Sequence, residues 1–209
     1  MNKIHFDNLA KASADFIKSV NAIIPDVQKN AAEDANWAEF VQKDRREARA
    51  AYVAATINEG AATAKRKAEA ELDAMRAAFK KYMTAVTDPT ALQSLQALVN
   101  AGVELTPAEV EAYATTGDYA TLRVLEPHSK GRVKAPDLTR FETDMRELAL
   151  YFDGLTSYSG PACELADYTT ARYFGLPSRT GGTIIKGKAD HFQATLDEIA
   201  ARWSMVKEG

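Results

Sequence analysis

Apolar residues recur at steps of three and four through most of the chain, the period of an amphipathic helix. The pattern is that of an all-α protein: a long alanine-rich helix or helical hairpin, followed by a compact multi-helix domain. Residues 31–86 hold no proline and a single glycine, Gly60, and are filled with alanine, lysine, arginine and glutamate, which lose little side-chain freedom in a helix. They are expected to form one long helix or two helices meeting at Gly60. Ala68, Leu72, Met75, Phe79, Tyr82 and Val86 alternate steps of four and three and share one seam. Continued backwards at that spacing, the seam runs through Lys65, Asn58, Glu47 and Asp44 before reaching Phe40 and Trp37. Its middle therefore reads as underfilled, and the helix as needing a partner, in this chain or in another copy. Trp37, Phe40, Leu72, Met75, Phe79 and Tyr82 are the expected protein-interaction residues.

Before this stretch, Phe6, Leu9, Phe16, Ile17, Val20, Ile23 and Ile24 mark an amphipathic helix, with Asp7 as its cap and Pro25 as its end. Such a helix can dock on the core or serve as an arm on a neighbouring subunit. After it, Asp88-Pro89 opens a helix carrying Leu92, Leu95, Leu98 and Val99, which Gly102 closes. Thr106-Pro107-Ala108-Glu109 is a capping box. Gly117-Asp118 starts a third short helix with Tyr119, Leu122 and Leu125. Residues 126–137, with Pro127, Gly131 and Pro136, read as an exposed basic connector. The helical period returns at Leu138, Phe141, Met145, Leu148 and Phe152, with Gly154 as the stop. A further helix is expected over 161–174, with Gly175 past its end. Residues 178–188 read as a flexible loop or a short hairpin turning at Gly181-Gly182. Residues 189–206 close the chain as a helix with Phe192, Leu196, Ile199, Trp203 and Val206 on one side. The expected division is a helical arm over 1–88 and a compact helical domain over 89–209.

Composition narrows the function classes. A hydrophobic fraction of 46% and a charged fraction of 26% belong to a globular chain rather than a disordered one. The net charge of −3 gives no general electrostatic grip on nucleic acid. The charges on the long helix alternate in sign, as on a solvated face laced with weak ion pairs. Lys130, Arg132 and Lys134, with Arg179, Lys186 and Lys188, are the candidate contacts to an anionic partner such as a phosphate backbone. The one cysteine, Cys163, excludes an internal disulfide and reads as a small apolar residue. No stretch reaches the roughly 18 apolar residues of a membrane span, and Asp7 and Asp15 interrupt any leader-like run. Cytoplasmic synthesis without a membrane partner is the expectation.

Catalytic patterns are missing. His5, His128 and His191 stand at no metal-ligand spacing, and Gly187-Lys188 is followed by Ala189 rather than the Ser or Thr of a phosphate loop. No Gly-x-Ser-x-Gly occurs. No cofactor, metal or catalytic residue is therefore assigned, and a non-enzymatic role is expected.

Residues 92–125 read Leu-Gln-Ser-Leu-Gln-Ala-Leu, then Gly-Val-Glu-Leu-Thr-Pro-Ala-Glu-Val, then Gly-Asp-Tyr-Ala-Thr-Leu-Arg-Val-Leu. This stretch, about a sixth of the chain, resembles short helical segments in small structural proteins from the head-gene clusters of tailed bacteriophages. In those, a long charged helix commonly precedes a compact helical unit. The resemblance implies a virion or capsid-assembly component made in many copies, binding itself and other structural proteins. It transfers no catalytic or binding residue. The alternative is a helical nucleic-acid-associated protein working through the basic loops.

Overall fold

The computed structural model describes residues 3–34, 36–156 and 177–203, and their side chains except at 24, 28, 31 and 177–186. The fold is all-α, with no strand among the described residues. Its helices are α1 (Lys3–Asp34), α2 (Glu39–Thr84), α3 (Pro89–Asn100), α4 (Pro107–Ala114), α5 (Tyr119–Leu125), α6 (Leu138–Thr156) and α7 (Pro177–Trp203), with a 3-10 turn at Glu126–His128. The expected helix over 161–174, with Cys163 and Gly175, lies outside the described residues, as does Val206.

Contacts gather the chain into two compact units. One comprises Phe6–Glu71 and Arg146–Glu198. The other comprises Met1–His5, Leu72–Met145 and Ile199–Gly209. This grouping differs from the expected division at residue 88, because α1, α2, α6 and α7 each contribute to both units.

In the 6–71 unit, α1 and α2 form an antiparallel helical hairpin. Asn8 Nδ2 donates to Glu71 Oε1 at 2.9 Å, and Lys67 Nζ lies 3.6 Å from Asp15. At the other end, Asp34 meets Arg45 and Arg49. Phe6, Leu9, Ala12, Phe16, Val20, Ile23 and Val27 are buried along α1. The helix does not stop at Pro25 as expected. An internal proline costs about 3 kcal/mol. Burying Val20, Ile23 and Val27 around it is worth about 1.5–3 kcal/mol each, which outweighs that cost. Asp7 is an exposed residue inside the helix rather than its cap.

The chain turns at residues 36–38, and α2 runs unbroken through Gly60. A Cβ built on Gly60 would sit 2.9 Å from Ser19 Oγ, so this glycine serves the approach of α1 rather than a bend. The α2 seam also differs from expectation. Its buried residues are Val53, Ile57, Ala61, Ala64 and Ala68, whereas Asp44, Glu47 and Asn58 are exposed and Lys65 is half-buried. Alternating steps of four and three average 3.5 residues per turn, and a straight helix has 3.6. The two counts drift apart by about 20° per heptad. Followed at the helix's own period, the seam reaches Val53 and Ile57, and its middle is filled from within the chain.

In the 72–145 unit, Leu72, Met75, Phe79 and Tyr82 are buried, whereas Val86 is exposed. Phe79 stacks on Phe141 at 4.0 Å between centroids, and Trp203 stands nearly perpendicular to both rings at 5.4 and 5.2 Å. The caps of α3–α5 are those expected. Asp88 accepts from the Ala91 amide at 2.9 Å, Thr106 and Glu109 form the reciprocal box, and Asp118 accepts from the Thr121 amide at 2.8 Å. Gly102 and Gly117 take the left-handed conformation that ends α3 and α4. Leu95, Leu105, Val110 and Leu125 form the core of this part, with Leu98, Val99 and Tyr113 packed against it.

Phe141, Met145, Leu148, Phe152 and Leu155 are the buried face of α6, and Leu138 is exposed. The helix passes through Gly154 to Thr156, because Leu155 extends the apolar face one step further. The expected loop or hairpin over 178–188 is instead the first part of α7. The buried residues Phe192, Leu196, Ile199 and Trp203 anchor this helix, and Pro177 suits its first turn. Glycines at 181, 182 and 187 cost about 1 kcal/mol each relative to alanine without forbidding the helix.

Candidate functional site

The turn between α1 and α2 exposes apolar surface on a fixed frame. The amides of Asn36 and Trp37 donate to the carbonyls of Glu33 and Asp34, each at 3.1 Å. Gln42 Nε2 donates to the Trp37 carbonyl at 2.7 Å. Beneath lies Asp34, buried although charged. Arg45 Nε donates to Asp34 Oδ1 at 2.8 Å, and Arg49, itself buried, donates to both carboxylate oxygens. Burial pushes the Asp34 carboxyl upward, but the hydrogen bonds and charges of Arg49 and Arg45 overcome it and hold the pKa below the usual carboxylate value. The Arg45 guanidinium lies 5.2 Å from the Trp37 ring centroid and 3.7 Å from Glu33. The Nε atoms of Arg46 and Arg49 are buried with no acceptor among the described residues.

On this frame Trp37 is 50% exposed and Phe40 74% exposed. Of the six expected interaction residues, only these two face outward. Leu72, Met75, Phe79 and Tyr82 are buried in the chain's own core, which corrects their assignment as residues of an interaction with another protein; of the two partners left open, it is this chain that covers them. Tyr82 also donates its hydroxyl to the Gly117 carbonyl at 3.0 Å. Burial, with the charge of Asp118 and the neighbouring Tyr119, pushes its pKa up to about 12.

The six basic residues are not one site. Lys130, in the left-handed conformation before Gly131, pairs with Glu104, whose carboxyl is held below its ordinary pKa by that contact. Arg132 and Lys134 are exposed in the same unit. Lys188 belongs to the other unit, where its Nζ donates to the Gly154 carbonyl at 3.2 Å. The side chains of Arg179 and Lys186 lie outside those described.

Two acidic hubs were not apparent in the chain's spacing. Asp34 finds its arginines eleven and fifteen residues later, across a turn that has neither glycine nor proline. Asp144, fully buried in α6, accepts from Arg202 Nη1 at 2.6 Å and Trp203 Nε1 at 2.8 Å, and Arg140 Nε lies 3.0 Å away. An acid within a strongly apolar helical face is the one local signal for Asp144.

Among the described residues no group of three or more His, Cys, Asp or Glu is placed to hold a metal ion. His191 instead meets Tyr151 edge-on at 4.6 Å. No described helix is long and apolar enough to cross a membrane. The class defined by these features is an all-α protein with a helical hairpin that displays two aromatic side chains, one in its turn and one at the start of α2. No family model, curated protein or solved structure matches the chain.

Proposed function

We propose that the protein is a non-enzymatic structural or assembly component that associates with further copies of itself through the α1–α2 turn. The observation that carries this reading is the exposed pair Trp37 and Phe40, with Trp37 beside the Arg45 guanidinium that pairs with the buried Asp34. Two aromatic rings on a fixed turn lose little conformational entropy on docking, which is why such residues anchor interfaces.

The magnitude sets the kind of association. At exposures of 50% and 74%, the two side chains offer roughly 250 Å² between them. That is far below the roughly 800 Å² per partner of a standard stable interface. One contact of this size is weak, so association is concentration-dependent and gains strength from repetition in an array. A virion or capsid-assembly protein of a tailed bacteriophage, present in many copies alongside other structural proteins, is the finer form of this proposal. It rests on the resemblance of residues 92–125.

Size exclusion with light scattering over a wide concentration range tests the reading. The expected result is a mass that rises with concentration in the parent protein and stays monomeric in Trp37→Ser/Phe40→Ser. Both residues are exposed, so circular dichroism of the variant should match the parent. A parent that stays monomeric at every concentration defeats the proposal.

A further inference from the structure

A second feature, independent of the hairpin turn, lies in the 72–145 unit. A cleft of about 230 Å³ is lined by Lys134, Pro136, Asp137, Arg140, Arg202 and Trp203, with Ala135 completing its wall. Its floor is fixed. The Trp203 indole is buried, tied through Nε1 to Asp144 at 2.8 Å and braced by Phe79 and Phe141. Its rim is basic. Asp144 lies behind the cleft and offsets one of the charges of Arg140 and Arg202, and Asp137 is already engaged at its Oδ1 by the Thr139 amide at 2.8 Å. Among the described residues, Lys134, Arg140 and Arg202 against Asp137 and Asp144 leave one net positive charge. Arg140 reaches Asp144 through Nε, so the terminal nitrogens of its half-exposed guanidinium can donate elsewhere. Lys134 is exposed beside it.

We propose that this cleft binds a small organic anion: a flat apolar body no larger than one ring, carrying a single carboxylate or phosphate. The apolar body lies against Ala135, Pro136 and the small part of Trp203 that reaches the cleft, and the oxyanion takes hydrogen bonds from Lys134 and Arg140. The size follows from the volume, which is below the roughly 300–1,000 Å³ of sites for drug-sized ligands. The charge follows from the rim, and the apolar body from the aromatic floor.

The floor is also the reporter. In a Trp37→Phe background, Trp203 is the sole tryptophan of the chain. Its emission is followed during titration of the full chain with 3-phenylpropionate and with phenyl phosphate, the two arms separating carboxylate from phosphate preference. 3-Phenylpropanol, of the same shape without the charge, is the control. A saturable change is expected with at least one anion at about 1–10 mM, the affinity range of so small a ligand, and a weaker one with the alcohol. Lys134→Ala, at an exposed position, should weaken anion binding roughly two- to five-fold. Lys134→Glu should weaken it further, and added salt should weaken it in the parent.

Equal affinity for the alcohol, indifference to both Lys134 variants, or no saturable change with either anion would each overturn the proposal. Tighter binding of a short single-stranded oligonucleotide than of phenyl phosphate, with the same Lys134 dependence, would overturn the small-ligand assignment in favour of a nucleic-acid contact.

Discussion

Replacing Gly60 by alanine separates the two effects that meet where α1 crosses α2. In a helix interior, Gly→Ala is favourable by about 0.8–1 kcal/mol. Here the new Cβ would lie 2.9 Å from Ser19 Oγ, while Ser19 Cβ and Phe16 Cδ2 are at ordinary contact, 3.8 and 3.9 Å. The obstruction is thus one hydroxyl, and that hydroxyl donates to the Phe16 carbonyl at 2.6 Å. Displacing it into another staggered rotamer breaks a local hydrogen bond, costing about 0.5–1.5 kcal/mol. Gly60→Ala alone should therefore leave stability nearly unchanged. In a Ser19→Ala background the obstruction is gone, and the same change should stabilise by about 1 kcal/mol. Urea unfolding followed at 222 nm on the four proteins gives the coupling energy, expected at about 0.5–1.5 kcal/mol in favour of the double variant. Full stabilisation by Gly60→Ala alone with no coupling would mean that the helices do not approach closely at Gly60. Destabilisation in both backgrounds would place the obstruction in the backbone rather than in Ser19.

Three further outcomes are expected. Asp34→Ala strands the buried Arg49 guanidinium and should cost about 3–5 kcal/mol in urea unfolding, whereas Asp34→Ala/Arg49→Met should recover most of that loss. Because the folded pKa of Asp34 is depressed, its contribution is fully present above the unfolded carboxylate value of about 3.9 and is lost as pH falls through the lower folded value. Unfolding curves between about pH 2 and 6 should show this acid-side loss, diminished in the double variant. Lys130→Gly relieves a non-glycine residue held at φ 52°, a conformation costing roughly 1–2 kcal/mol, and should stabilise by about 0.5–1 kcal/mol after the added freedom of the unfolded chain and the loss of the Glu104 contact. A thermal melt that falls instead would show the Glu104 contact to matter more than the backbone conformation.

The parts of the fold that could be read in advance are those encoded locally. Asp88-Pro89, the Thr106–Glu109 box and Asp118 each satisfy amides within three residues, so their spacing alone places α3, α4 and α5. The four-and-three steps from Phe141 to Phe152 and from Phe192 to Trp203 likewise mark buried faces. Expectation failed where distant packing overrides a local rule. Pro25 is carried through α1 by burial on either side, and Gly60 sits in a helix because Ser19 faces it. Extrapolating the α2 seam at 3.5 residues per turn led to Asn58 and Glu47 instead of Ile57 and Val53, and so to an interaction seam that the chain fills itself. Trp37 and Phe40 remained outside because Trp37 lies in the turn itself and Phe40 at the start of α2. A turn without glycine or proline leaves no compositional mark, and its stabilising contacts, Asp34 to Arg45 and Arg49, link residues with no local periodic relation.

The claim that the α1–α2 turn is a surface for self-association is tested most directly at Trp37 itself. With 5-fluorotryptophan incorporated, the chain gives two fluorine resonances, Trp37 and Trp203, assigned through Trp37→Phe. Across a dilution series the Trp37 resonance should shift or broaden as concentration rises, while Trp203, tied to Asp144 in the core, stays fixed. A Trp37 resonance that does not change with concentration, in a protein that remains monomeric, would contradict the account.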